Sequence, residues 1–103
     1  MPKYTYVVYT SAVPGKESEY NDWYNNQHIP DVLKVPGFVS ARRLKLHGPR
    51  EGHEKVTNMA LYELETDDPD AVMKELYARS GTEAMPMSAA FDASSFSALL
   101  YQA

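Results

Sequence analysis

Cysteine is missing from this 103-residue chain. Disulfides, thiolate metal sites and cysteine nucleophiles are thereby excluded. Long apolar runs are missing too: none approaches the roughly 20 residues of a membrane span. Met1-Pro2-Lys3 is not followed by the apolar core of a secretory signal. Both absences point to a cytoplasmic protein with no membrane partner. Basic residues are in deficit, ten against fourteen acidic ones for a formal charge of -4. A nucleic-acid partner is not expected, because binding to phosphates requires a basic face. There is no Gly-rich phosphate loop, no dinucleotide fingerprint, no H-E-x-x-H pair and no serine in a nucleophile-elbow setting. His28, His47 and His53 lack metal-ligand spacing, so neither a metal nor an organic cofactor is expected.

What the chain does have is tyrosine, eight of them in a length that fits one domain over residues 1–103. A phenol offers an apolar ring with a polar tip, which suits the wall of a cavity or an interface. Apolar and β-branched residues alternate from Lys3 to Ala12, the pattern of a strand. Val13-Pro14-Gly15 punctuates, and a helix follows from about Lys16 with Tyr20, Trp23, Tyr24 and Gln27 at one-face spacing. Pro30 carries no N–H and disfavours helical geometry before it, so the helix is expected to stop or kink near His28. A short helical turn with Pro30 at its first position is expected to follow, to about Lys34.

Further strands are expected over Phe38–His47, Val56–Glu65 and Ser94–Gln102. In the first of these, Phe38, Ser40, Arg42, Leu44 and Leu46 alternate onto one face. Asp68-Pro69 is a helix start, cap then proline, and Gly81 is a natural stop. The order strand–helix–strand–strand–helix–strand predicts an α+β, ferredoxin-like βαββαβ fold. Its four-stranded antiparallel sheet would carry two helices on one face. The other sheet face is too apolar for water, which predicts a homodimer built sheet against sheet.

With these elements placed, Trp23-Tyr24, His28-x-Pro30 and Pro36-Gly37-Phe38 carry a resemblance to the dimeric α+β barrel superfamily, and to its EthD-like branch in particular. The resemblance implies a homodimeric barrel with one small-molecule site per protomer, between the helices and the concave sheet face. The superfamily includes lactone isomerases, polyketide cyclases, decarboxylases, cofactor-independent monooxygenases and haem-handling proteins. A histidine at the position matching His28 contributes to the site in the methylmuconolactone isomerase relatives. A second histidine there lies after strand two, in the region where this chain has His53.

The residues themselves allow two readings each. His28 could act as general acid or base, or could bond a carbonyl freed by the Pro30 break. Tyr24, one turn from it, could orient a ligand oxygen, whereas Tyr20 and Trp23 also fit a plain buried helix face. Tyr6, Tyr62 and Tyr77 are candidate lining phenols, with Phe38 and Met59 supplying shape. Arg42 on an inner face would need a carboxylate, either a substrate acid or Glu63 across the sheet. His47 and His53 flank an exposed loop and by default are solvated. The expected function is therefore cofactor-independent proton transfer by His28 and Tyr24 on a small aromatic or polyketide-like ligand. Trp23, Tyr6, Phe38, Arg42, Met59, Tyr62, Tyr77 and His53 are its candidate ligand-binding residues. Ligand binding without catalysis is the alternative, and a haem-binding or monooxygenase-type member is a more distant one.

Overall fold

The computed structural model describes residues 1–103. Four strands, β1 (Lys3–Thr10), β2 (Phe38–Lys45), β3 (Asn58–Glu65) and β4 (Ser97–Gln102), form one sheet in the order β2-β3-β1-β4. Every neighbouring pair is antiparallel. The helix layer consists of α1 (Glu17–Trp23), a π-helical turn (Tyr24–His28), α2 (Ile29–Leu33) and α3 (Pro69–Arg79). This is the ferredoxin-like arrangement read from the element order. No helix is long and apolar enough to cross a membrane.

Strand periodicity decides which side chains meet the helices. On β1 Tyr6, Val8 and Thr10 are buried, and on β3 so are Ala60, Tyr62 and Leu64. The register pairs Tyr6 with Tyr62 and Val8 with Ala60, so both sets share one face. Tyr20, Tyr24, Val32, Val35, Val72 and Leu76 close over that face to form the core. The opposite face presents Val7, Met59, Leu61 and Leu99, with Leu99 more than half exposed.

Two expectations are corrected here. Phe38 to Leu46 does not alternate onto one face, because the register against β3 shifts between Phe38 and Ser40. One extra residue flips everything beyond it. Phe38 therefore lies on the helix side opposite Leu64, while Arg42 pairs with Leu61 on the outer side and is exposed. Arg43, not Arg42, faces the helices. Arg42 makes no ion pair with Glu63, whose carboxylate accepts the Thr5 hydroxyl at 2.9 Å.

At Pro30 the stop or kink expected near His28 takes the form of a change in helix type, and the short helical turn expected after it is α2, with Pro30 in its first turn. The helix does not stop at His28: Trp23, Tyr24, His28 and Ile29 all keep right-handed helical dihedrals. The break is absorbed by the π turn, in which the Ile29 N–H donates to the Tyr24 carbonyl five residues back. Pro30 can donate no bond and its ring crowds the preceding turn, so a wider turn accommodates it without ending the helix.

The remaining helix signals behave as written in the sequence. Asp68 caps α3, its Oδ1 accepting the Ala71 N–H at 3.1 Å. The Pro36-Gly37 turn brings the start of β2 against α3 so closely that a Cβ on Gly37 would sit 2.6 Å from Val72 Cγ2. Gly37 also has φ of 108°, a conformation that side chains resist. Gly37→Ala is expected to cost roughly 1–3 kcal/mol, from backbone strain and overpacking together. Urea unfolding measures this, and an unchanged midpoint would contradict the close approach.

Candidate functional site

Between the helix layer and the inner sheet face lies a cleft of about 70 Å³. Its walls come from β1 (Tyr6, Val8, Thr10), β3 (Tyr62), the π turn and its flanks (Trp23, Tyr24, His28), and α3 (Leu76, Tyr77). Val32 of α2, Ser80 after α3, and Met87, Phe91 and Phe96 from the segment before β4 complete it. Each contributor arrives by simple geometry. Alternation puts Tyr6 and Tyr62 on the inner face, and helical spacing puts Leu76 and Tyr77 on the side of α3 turned to the sheet. The wide turn leaves Gln27 exposed and sets His28 edge-on to Tyr24, ring centres 5.2 Å apart. His28 also stacks on Trp23 at 4.7 Å.

Two phenol pairs give the cleft its polarity. The Tyr6 and Tyr77 hydroxyls are 2.6 Å apart, with Tyr77 half exposed at the mouth. Deeper in, the Tyr62 hydroxyl donates to that of Tyr24 at 3.3 Å. Burial raises the Tyr6 and Tyr62 phenols far above their ordinary range, and neighbouring phenols push them further. Tyr24 is pushed up to about 12 by burial, partly offset by its bond from Tyr62 and by the Arg43 charge. All three stay protonated at neutral pH, so none of them is a base there.

His28 is moved the other way. Burial against the aromatic rings lowers its imidazolium to about 4, with the nearby Asp31 carboxylate opposing part of that shift. Its Nδ1 is buried and has no hydrogen-bond partner within the chain. The proposed capping of a freed carbonyl through that atom is therefore not made. A buried orphan of this kind is costly to the fold, and it belongs to a residue of the cleft lining. Asp31 is itself buried, held by Gln27 Nε2 at 2.6 Å and by Lys34 Nζ at 3.7 Å.

Of the sequence-derived candidates, the structure brings Tyr6, Trp23, Tyr24, His28, Tyr62 and Tyr77 together around the cleft. Phe38 stands outside it, packed edge-on against Tyr62 at 5.9 Å. Met59 lies on the outer sheet face, because residues an odd number apart on one strand point to opposite sides and Tyr62 faces in. Arg42 is exposed on that outer side, and His53 is exposed in the β2–β3 connection. No three His, Asp or Glu side chains converge as a metal-binding group. Missed from the sequence were Met87, Phe91 and Phe96, whose segment has no periodicity to read. Arg43 was missed as well. It donates to Asn21 at 2.9 Å, Asn25 at 3.0 Å and Asn58 at 3.1 Å. Its guanidinium lies 4.4 Å from the Tyr24 ring centre.

This architecture is that of an ethyl tert-butyl ether D (EthD) family protein from Bacillus halodurans. That crystal structure matches at a TM-score of 0.52 and 17% identity, over 97% of this chain and 96% of the other. At that identity the likeness speaks for the fold. The EthD-like resemblance drawn from the motif is met at this level. Residues 3–102 match the family described as domain of unknown function DUF4286, and the chain belongs to that family. No curated protein sequence matches significantly.

The His28 shift makes folding sensitive to acid. The native state resists protonation that the unfolded chain accepts below about 6.5, so this group's contribution is complete above that pH. It is lost as the pH falls toward about 4. The loss is on the order of 2–3 kcal/mol. Urea midpoints at pH 7 and pH 4.5 should therefore converge more for His28→Gln than for wild type. Equal pH dependence in both proteins would contradict the burial of a neutral imidazole.

Proposed function

We propose that the protein binds a small organic molecule in this cleft and moves a proton on it, with neutral His28 as the acceptor. The observation that carries this reading is His28 in the lining of an apolar cleft beside protonated phenols, with its Nδ1 unpartnered within the chain. A ligand held there with a carbonyl toward the phenols would lose a proton from the adjacent carbon to the imidazole. The resulting enolate oxygen would accept from a tyrosine hydroxyl, and the imidazolium formed would lie beside that negative charge. Returning the proton to a different carbon gives an isomerisation. Attack of the enolate carbon on a second carbonyl of the same ligand, whose C=O π bond opens to an alkoxide that takes the proton back from the imidazolium, gives a cyclisation.

The cleft limits the size of the molecule. An apolar cavity of about 150 Å³ holds benzene, and this one is less than half that. One ring fits only if the exposed mouth residues Met87, Phe96 and Tyr77 swing outward. A fused polyketide skeleton does not fit.

A second reading, carriage of the ligand without turnover, is favoured by one observation. An imidazole whose conjugate acid lies near 4 is a weak base. His28→Ala separates the two, using the compound retained by protein purified from its own host and detected by native mass spectrometry. Catalysis predicts that turnover falls by about 10²–10⁴-fold while the compound still binds. A carrier predicts no turnover in either protein and comparable affinity.

We further propose that a second copy of the chain covers the outer sheet face. Val7, Leu61 and Met59 there are only partly shielded, and Leu44, Leu99 and Tyr101 are exposed. A stable pair buries about 800 Å² per partner, an extent suited to one sheet face. Light scattering at micromolar concentration is expected to give a dimer for wild type and a monomer for Leu99→Asp. A wild-type monomer would overturn this assignment.

A further inference from the structure

We propose that the cleft selects uncharged, oxygen-bearing ligands of about one ring, such as a ketone, and rejects carboxylates and phosphates. This rests on the reading of the cleft as a ligand site and adds the chemical class that the site accepts. Not one of its fourteen lining residues is a lysine, arginine, aspartate or glutamate. A buried anion would therefore meet no counter-charge, and an unpaired charge in an apolar setting is strongly disfavoured.

The charges nearest the cleft reinforce the exclusion. Asp31, three residues beyond His28, is buried and negative, and it repels an anion placed against the imidazole. Arg43 is the cation closest to the aromatic wall, but it does not line the cleft. It opens instead onto a separate polar crevice shared with Asn21, Asn25 and Asn58. Three asparagine side chains accept from its Nη1 and Nη2, its buried Nε has no partner, and its guanidinium lies over the Tyr24 and Tyr20 rings, 4.4 and 5.4 Å from their centres.

Cations fare no better, although aromatic walls can bind them when ring faces are free. Here the Trp23 ring is stacked with both His28 and Phe91. Tyr24 is flanked by Tyr20, Trp23 and His28, and Tyr62 by Tyr6 and Phe38. The polar atoms that remain are neutral. The Tyr6 and Tyr77 hydroxyls share one hydrogen bond, which leaves one O–H of the pair to donate to a ligand oxygen, and the unprotonated imidazole nitrogen accepts from a ligand hydroxyl.

The test uses one ring in three charge states: cyclohexanone, cyclohexanecarboxylate and cyclohexylammonium, titrated at pH 7.5. Trp23 is the sole tryptophan and lines the cleft. Its indole N–H signal in a ¹H–¹⁵N spectrum therefore reports binding at this place. The titrations run on wild type and on Met87→Ala, which widens the mouth without touching the phenols or His28. Cyclohexanone is expected to shift the Trp23 signal saturably, with both ions at least about 100-fold weaker, the scale set by an unpaired buried charge. A carboxylate or ammonium that binds as tightly as the ketone would overturn the charge selection and leave the ligand cleft standing. No shift with any of the three, in either protein, would overturn the cleft as a ligand site and this inference with it.

Discussion

A proline that cannot donate a hydrogen bond sets the geometry on which the cleft depends. Pro30 sits within a helix layer that must stay continuous to cover the sheet, and the chain accommodates it with a π turn over Tyr24–His28. That wide turn leaves Gln27 in solvent and keeps His28 against Trp23 and Tyr24. With regular α geometry the residues after Tyr24 would be rotated differently about the axis. Arg43 braces the turn from the sheet side by binding Asn21 before it and Asn25 within it.

Burial then supplies the chemistry. The same aromatic packing that shields His28 removes the water that would stabilise its charged form, so the imidazole is neutral at pH 7. The phenols respond in the opposite sense and remain protonated. One physical cause thus yields a neutral acceptor and several neutral donors in a single cleft with no formal charge in its lining. Such a site is suited to polarising an oxygen and moving a proton. It is poorly suited to holding an ion.

Much of this was legible in the sequence, for reasons that can be named. Alternation in Lys3–Thr10 and Asn58–Glu65 and the punctuation at Pro14-Gly15, Pro36-Gly37 and Asp68-Pro69 give the element order, and from it the sheet. Tyr6, Tyr62, Trp23 and Tyr77 could be gathered because each lies in a periodic element whose facing can be counted, and Tyr24 and His28 because four residues apart they stay on neighbouring faces even through the wide turn. The failures lie where counting breaks down. The irregularity after Phe38 reverses the facing of Arg42 and Arg43 with no turn residue to announce it. Met59 was placed with Tyr62 despite its opposite parity. Met87, Phe91 and Phe96 belong to a segment shaped by tertiary contacts, such as the Trp23 indole donating to the Pro86 carbonyl at 3.0 Å. The π turn itself is a tertiary compromise, since proline alone announces a helix end equally well.

The most direct measurement is an NMR titration of the His28 imidazole from pH 3 to pH 8. The account predicts a neutral ring through the physiological range, with protonation only near pH 4. A midpoint at or above the ordinary value of about 6.5 would show a solvated or charge-stabilised imidazole and contradict the buried, neutral proton acceptor.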